Sequence, residues 1–530
     1  MTTDRALSDR RLTRSCRLCL RGRLRLRPFF AVFLAATVSA ACGGDSPEST
    51  GPLIVIDGEF ADWDTVPPLL VDPLENGRGA VDFGEIRSES DDSAVYFALD
   101  FGRTVNAQAM QGSVMLELDT DGDPATGGTQ AGMSGAERVI IFSPLVRLFG
   151  SGVVGSGIET SPPGAYGIGF DYAPTWASRY FEVRIDRTVF KGDRLRGRLS
   201  YTTPDGETAD ETDVFTAALR SPSGRAARLA EPEVLEHSPD AAFRLLTWNV
   251  AERGPVNATE AFDRVLHALS PDVILLDEIS RDIDGGWFAR RFEAMGGEWT
   301  VVRGESGGRQ TTLIASRLPL ETVPLLERVE YPDSIYLLSE TASRQLQIDL
   351  ATAPVDGMPV LGATVDAGAG RILLVTLDFA CCGYAGSPED EARIFMADAV
   401  HGAVRQAIGE NQLAGVIVSG DLNLVGSRTP LDRISADLDP EGGDLTPAPA
   451  LRLDRGSAAT WWNANDRFPP GRLDWVLHSR ALEPVRSFVF EVADLTAASA
   501  QSLGLEAGDT DAVSDHRPVV VDFALRRQGR

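Results

Sequence analysis

Short apolar runs recur through the second half of this 530-residue chain, and most of them meet an acid or an amide at one end. "FRLLTWNV" brings up Asn249, "PDVILLDEI" carries Glu278 and "RILLVTLDF" closes on Asp378. "GVIVSGDLN" carries Asp421 and Asn423, "RLDWVLHS" carries Asp474, and Asp515 and His516 precede "RPVVVDF". A continuous apolar run of this length, bounded by turn formers, describes a strand covered on both faces. A carboxylate at the end of a buried strand is held rigidly, and several can converge over one cleft. Converging Glu, Asp and Asn oxygens suit a hard cation such as magnesium. A histidine beside a carboxylate can be oriented for proton transfer or for a hydrogen bond to an anion.

Between these runs, "ATEAFDRVLHALS" has the apolar spacing of a helix, and "SPEDEARIFMADAVHGAVRQAI" reads as another, with Ser387 as its N-cap. "TTLIASRLPL", "RQLQIDLA" and "SFVFEV" read as further strands. Taken singly, each polar strand end is an ordinary turn cap.

The ordered set says more: Asn, then PD-(apolar)-E, SRLP, GDxN, xDWV and SDHRP. This order resembles the endonuclease/exonuclease/phosphatase superfamily, which includes pancreatic deoxyribonuclease, the abasic-site endonucleases, the sphingomyelinases and the inositol polyphosphate 5-phosphatases. The resemblance covers residues 243–525. It implies an α/β four-layer sandwich, two central β-sheets flanked by helices, and metal-dependent hydrolysis of a phosphate ester. By position, Asn249, Glu278 and Asp515 match the metal-binding residues, for Mg2+ or Mn2+. Asp421 and Asn423 match the pair that places the attacking water and binds phosphate. His516 matches the catalytic histidine, and Asp474 the acid that orients it. Asp378 departs from the pattern, because many members carry a histidine there. A carboxylate cannot replace imidazolium as a donor to phosphate, although it can accept a hydrogen bond or bind a second cation. His237, His267, His401 and His478 read as structural or solvated, and Arg317 of "SRLP" as structural.

Residues 52–220 have another character. "PLIVIDG", "AVYFALDF", "SVMLELD", "RVIIFSP", "YFEVRID" and "RLRGRLSY" are short strand-like runs separated by Gly, Asp and Pro, which argues an all-β sandwich. "IDGEFADWDTVPPL" and "LDTDGDPATGG" resemble the extracellular sandwich modules related to family 9 carbohydrate-binding domains, which implies a glycan partner. Asp119, Asp121 and Asp123 alternate in "DTDGD", a spacing that suits Ca2+ as well as a plain acidic turn. Residues 221–242, rich in Pro, Ala and charge, read as a linker between the sandwich and the domain at 243–527.

The first 41 residues carry nine arginines and two aspartates, a net of +7, in a chain whose total is −27, leaving −34 for the rest. They lead into "PFFAVFLAATVSAAC", of signal-peptide length and too short to span a bilayer. The segment resembles a bacterial lipoprotein signal, which implies cleavage at 1–41, lipid attachment at Cys42, a tether over 42–51 and an exported, membrane-anchored protein. An ordinary cleaved signal peptide is the alternative.

A mature charge of −34 repels polyanions at long range, so nucleic acid is a disfavoured partner. The expected function is an exported phosphoesterase acting on a phosphodiester or phosphomonoester. The alternatives are an extracellular nuclease, which would need a basic stripe drawn from Arg303, Arg309, Arg428 and Arg467, and an inactive surface-binding protein. Trp461 and Trp462 either wall a substrate or pack on the sandwich flank. Adjacent Cys381 and Cys382 are either a strained disulfide or two thiols.

Overall fold

The computed structural model describes residues 51–526 except 108, 129–131, 145–150, 158–164, 221–222, 339–341, 369 and 465–467. The signal segment, Cys42 and Arg467 lie outside the described residues. Residues Ser49–Arg530 form one compact unit. Among the described residues, no helix is long and apolar enough to cross a membrane.

The second half is built on two sheets. One runs, in spatial order, Thr300–Arg303, Gln310–Ser316, Val273–Ser280, Phe243–Glu252, Val519–Leu525, Leu482–Val489 and Leu451–Arg452. The other runs Leu320–Thr322, Val360–Asp366, Arg371–Asp378, Leu413–Asp421, Asp474–His478 and Thr446–Pro447. The apolar runs are continuous because each face of a strand meets a different layer. Leu245, Val273 and Leu275 point between the sheets, against Leu374, Ile417 and Val476. Their neighbours Leu246, Ile274 and Leu276 point outward, under Phe262 and Val265 of helix Thr259–Leu269 and Phe288 of helix Gly285–Ala294. The second sheet is covered by Met396, Val400 and Val404 of helix Pro388–Glu410. The Ser387 hydroxyl caps that helix by accepting from the Asp390 amide at 3.3 Å. This is the four-layer α/β sandwich.

The first half is an all-β sandwich. Its five-stranded sheet orders Leu70–Val71, Glu85–Ser90, Ala94–Val105, Ser178–Asp186 and Asp171–Ala173. Its partner sheet orders Thr208–Glu211, Arg194–Thr202, Ser113–Asp119, Arg138–Pro144 and Ser151–Gly157, with Phe215–Ala218 also pairing to Arg194–Thr202. Phe83, Phe101, Phe142, Tyr172 and Phe181 fill the space between them.

Three segments differ from the sequence expectation. "RQLQIDLA" lies in helix Arg344–Asp356, not in a strand. Leu346 and Leu350, four residues apart, are buried together, and the Ser343 hydroxyl accepts from the Leu346 amide at 3.2 Å, so helical packing overrides the alternating pattern. "PLIVIDG" is not a sandwich strand either. Ile54 and Ile56 sink against Trp63 and Tyr96, while the Ile56 main chain pairs across to the other half: Ile56 N donates to Gly456 at 3.1 Å and Ala458 N to Ile56 at 2.9 Å. The third, residues 223–242 of the expected linker, packs against the second half. Ala230 pairs with Leu495, and Leu235 is buried in the core that holds Trp248.

A fully buried ion pair fastens that segment. Arg244 donates through Nε and Nη2 to Asp522 at 2.6 and 2.9 Å, and through Nη1 to the carbonyls of Leu235 and Leu269 at 2.7 and 2.9 Å. Asp522→Ala strands a guanidinium in the core, so it should destabilise the protein by about 3–5 kcal/mol. A urea-unfolding midpoint that does not move would remove the pair from this role.

Candidate active site

Strand pairing sets the site. Arg371–Asp378 runs parallel to Leu413–Asp421 with Asp378 opposite Asp421, and Asp421 in turn lies opposite Asp474 on the next strand. Three carboxylates thus stand side by side at one end of a sheet, the end at which α/β sheets carry their sites. Gly420 permits this alignment. Its φ is +134°, and a Cβ there would lie 1.9 Å from the Leu377 carbonyl oxygen.

The other sheet reaches across to meet them. Asn249 Nδ2 donates to Asp421 Oδ2 at 3.1 Å, and Gln310 Nε2 donates to Asp378 Oδ2 at 3.0 Å. The Asp421 amide donates to Asp277 Oδ2 at 3.1 Å, while Asp277 Oδ1 is buried with no hydrogen-bond partner. His516 Nδ1 donates to Asp474 Oδ2 at 2.9 Å, and its Nε2 lies 3.6 Å from Asp421 Oδ2. The Thr460 hydroxyl donates to the same Asp474 oxygen at 2.6 Å, and Trp248 Nε1 donates to the His516 carbonyl at 3.0 Å. Asp474, itself steadied by Thr460, therefore orients the ring of His516, and Trp248 holds its backbone, with Nε2 turned to Asp421.

Two groups of ligand atoms converge within 4.8 Å: Glu278, Asp378 and Asp421, and Asp421, Asp474 and His516. Asp515 belongs to neither group, although it lines the same cleft. Asn249 places its amide on Asp421 and accepts the Ala251 amide at 3.1 Å on its own oxygen. Asn423, at φ +48°, donates its side-chain amide to the Phe379 carbonyl at 3.0 Å, and its backbone amide donates to Asp421 Oδ1 at 2.8 Å.

The charges are unbalanced. Burial, then the charges of Glu278 and Asp421, pushes the Asp378 carboxyl well above the usual carboxylate range. Burial, then Asp474 and Asp421, does the same to Asp277. Burial also raises Glu278 against the pull of His516, and pushes Asp421 up to about 7 against that same pull. Burial alone would lower His516, but Asp474 and then Asp421 outweigh it and hold the imidazole protonated well above its ordinary range. Buried, mutually repelling hard oxygens that converge within 4.8 Å are the donor set of a divalent cation. Glu278, Asp378 and Asp421 would hold it.

The surrounding cleft has a volume of about 1270 Å3. Trp461 lines it and pairs its main chain with Gly471 and His516. Trp462 instead stacks between Arg452 and Arg517, with guanidinium-to-ring distances of 4.7 and 3.9 Å. Cys381 and Cys382 are free thiols, exposed on the cleft wall, with Cys382 at φ +71°. Arg303 donates to the Ile283 carbonyl at 2.6 Å, Arg309 pairs with Glu252, and Arg428 pairs with Asp432 at 3.1 Å. Arg317 stacks on Trp299, the His401 ring bonds the Ala436 carbonyl, and His478 packs against Phe523. Among the described residues, the sequence reading passed over Asp277, Gln310 and Thr460. Each supports a neighbour within one family motif or stands outside all of them, so only the fold reveals its role.

Neutralising one member of the repelling group should stabilise the metal-free protein. Asp378→Asn keeps an oxygen for Gln310 and removes a charge. A carboxyl raised on folding gives stability that is present below the unfolded pKa and lost as pH rises through the folded one. The melting temperature of Asp378→Asn in EDTA should therefore exceed that of wild type at neutral pH, and the gain should vanish near pH 4. Equal curves at neutral pH would refute the repulsion.

Residues 246–516, just over half of the chain, match the model of the Endonuclease/Exonuclease/phosphatase family. No curated protein matches the chain. Similar solved structures include truncated TDP2 of Caenorhabditis elegans, at 15% identity and a TM-score of 0.37, covering 53% of this chain and 97% of that one. The 3'-5' exonuclease NExo of Neisseria meningitidis gives 18% identity and a TM-score of 0.34, with 53% and 99% covered. The endonuclease/exonuclease/phosphatase of Bacteroides vulgatus gives 15% identity and a TM-score of 0.33, with 54% and 99% covered. The chain belongs to the endonuclease/exonuclease/phosphatase family.

Proposed function

We propose that this protein is an exported, lipid-anchored, magnesium-dependent phosphoesterase that hydrolyses a phosphodiester or phosphomonoester with water. The observation that carries the reading is the hydrogen-bonded Asp474–His516 pair aimed at Asp421 beside the Glu278–Asp378 carboxylates. A bound Mg2+ would supply charge neutralisation for phosphoryl oxygens. Asp421, held by the Asn249 amide with its Oδ2 3.6 Å from His516 Nε2, is placed to orient the attacking water. Protonated His516, oriented by Asp474, can donate from Nε2 to an oxygen gaining negative charge. Asn249 and Asn423 keep Asp421 in place from either side.

A small or lipid-derived substrate suits the site better than a polynucleotide. Glu252, Glu389 and Asp515 join the catalytic acids on the wall, Arg309 there is neutralised by Glu252, and Arg303 and Arg428 are engaged with the Ile283 carbonyl and Asp432, which disfavours a nuclease. The intact Asp474–His516–Asp421 arrangement disfavours an inactive binding protein.

The sandwich is assigned a glycan-binding role on its resemblance. Exposed Tyr180, 5.9 Å from the Phe60 ring, offers an aromatic surface for a sugar. Its Ca2+ would sit at Asp119, Asp121 and Glu137, whose oxygens lie within 4.8 Å of one another, with Glu137 where the sequence suggested Asp123. Asp123 accepts the Ala125 amide at 2.9 Å instead.

Wild type should hydrolyse at least one of bis-p-nitrophenyl phosphate, p-nitrophenyl phosphate, sphingomyelin or DNA with Mg2+ and none in EDTA, and Asp421→Ala should lower the rate about 10²–10⁴-fold. Absence of metal-dependent turnover on all four would end the enzymatic reading. Removing the negative partner lowers the His516 pKa, so Asp474→Asn should shift the alkaline limb of the rate profile to lower pH. A limb that stays in place would exclude His516 as the acid.

A further inference from the structure

The loop that follows Asp421 is held from outside its own domain. Its turn begins at left-handed Asn423, and the next three carbonyls in sequence face the sandwich. The Thr175 hydroxyl donates to the Leu424 carbonyl at 2.6 Å. Asn106 Nδ2 donates to the Val425 carbonyl at 2.7 Å. The Ala177 amide donates to the Gly426 carbonyl at 2.7 Å. All three donors belong to the sandwich. Thr175 and Asn106 are buried, and so is Trp176, whose ring packs 6.1 Å from that of Trp475, the neighbour of Asp474.

The approach is close enough to depend on small residues. A Cβ on Gly426 would lie 2.3 Å from Asp390 Oδ1, and one on Gly471 would lie 2.7 Å from the Thr175 methyl. Asp390 grips the loop from the catalytic side, accepting the Ser427 amide at 2.8 Å. The segment after Asn423 is thus clamped between two domains. A buried carbonyl stripped of its donor must find another partner or move, and the residue it would carry with it is Asn423, bonded to Asp421 through its backbone amide. The sandwich also supplies cleft wall: Ala109, Gln111 and Thr175 line the same cavity as Asp421 and His516.

We infer that Thr175 and Asn106 are positioning residues of the phosphoesterase site, fixing Asn423 by holding the carbonyls behind it, so that the sandwich is a working part of the active centre. This rests on the phosphoesterase reading for its activity readout but not for its structural one.

Thr175→Val removes the donor at nearly constant volume, Thr175→Ser retains it, and Asn106→Ala removes the second donor independently. With bis-p-nitrophenyl phosphate and Mg2+, Thr175→Val and Asn106→Ala should each lower kcat about tenfold or more. KM and the calorimetric affinity for Mn2+ should stay within about twofold, and Thr175→Ser should restore kcat. Hydrogen exchange of residues 422–427 should quicken in both donor-removing variants, while the strand Leu413–Asp421 stays protected. Unchanged kcat and unchanged exchange in both variants would overturn the inference. Wild type without turnover would overturn the functional reading alone, since exchange still reports the clamp. Were both variants to lose their fold, wild-type exchange in rising urea decides. Protection of 422–427 should be lost together with that of the sandwich strands, and protection that outlasts the sandwich would defeat the proposal.

Discussion

The site depends on a registration between strands. Asp378, Asp421 and Asp474 are neighbours because three strands pair in one register, and a shift of one residue would turn each carboxylate to the opposite face. Hydrogen bonds to the facing sheet then fix the alignment: Asn249 and Gln310 donate from it to Asp421 and Asp378, and the Asp421 amide donates back to Asp277. The candidate site is therefore a seam where two sheets exchange hydrogen bonds at their ends. Rigidity there comes from the ladders behind it, since side chains at strand ends inherit the precision of the sheet.

The seam holds more negative charge than its surroundings compensate. Four carboxyls are raised together by burial and by one another, and His516 alone answers them from within. Asp378 adds to this excess. The cost of crowding acids falls on the folded chain, and the benefit is a set of hard oxygens preorganised for a cation.

Much of this was legible in the sequence. The apolar runs reported strands buried on two faces, since Leu245 and Leu246 each have a layer to enter. The spacing of acids and amides at their ends reported the seam. Where reading failed, a longer-range contact had prevailed. Leu346, Ile348 and Leu350 alternate as a strand would, yet Leu346 and Leu350 also share a helical face, and the core chose that face. "PLIVIDG" has strand composition but finds its pairing partner at Ser457, four hundred residues on. Glu137 stands beside Asp119 and Asp121 only because antiparallel strands fold it back. The grip of the sandwich on Leu424, Val425 and Gly426 runs to backbone carbonyls, which every residue has and no motif records.

The pairing at Ile56 has a mechanical side. The chain enters the described fold near residue 51 and is stitched within a few residues to Gly456 and Ala458, on the segment that leads to Trp461 and the cleft wall. A pull on the chain ahead of residue 51 would therefore be shared: the Leu53 amide on Asp91 and the packing of Ile54 and Ile56 against Tyr96 pass it to the sandwich, and the two hydrogen bonds at Ile56 pass it to the second half. Tension at that end thus reaches both halves of the fold within a few residues of its entry.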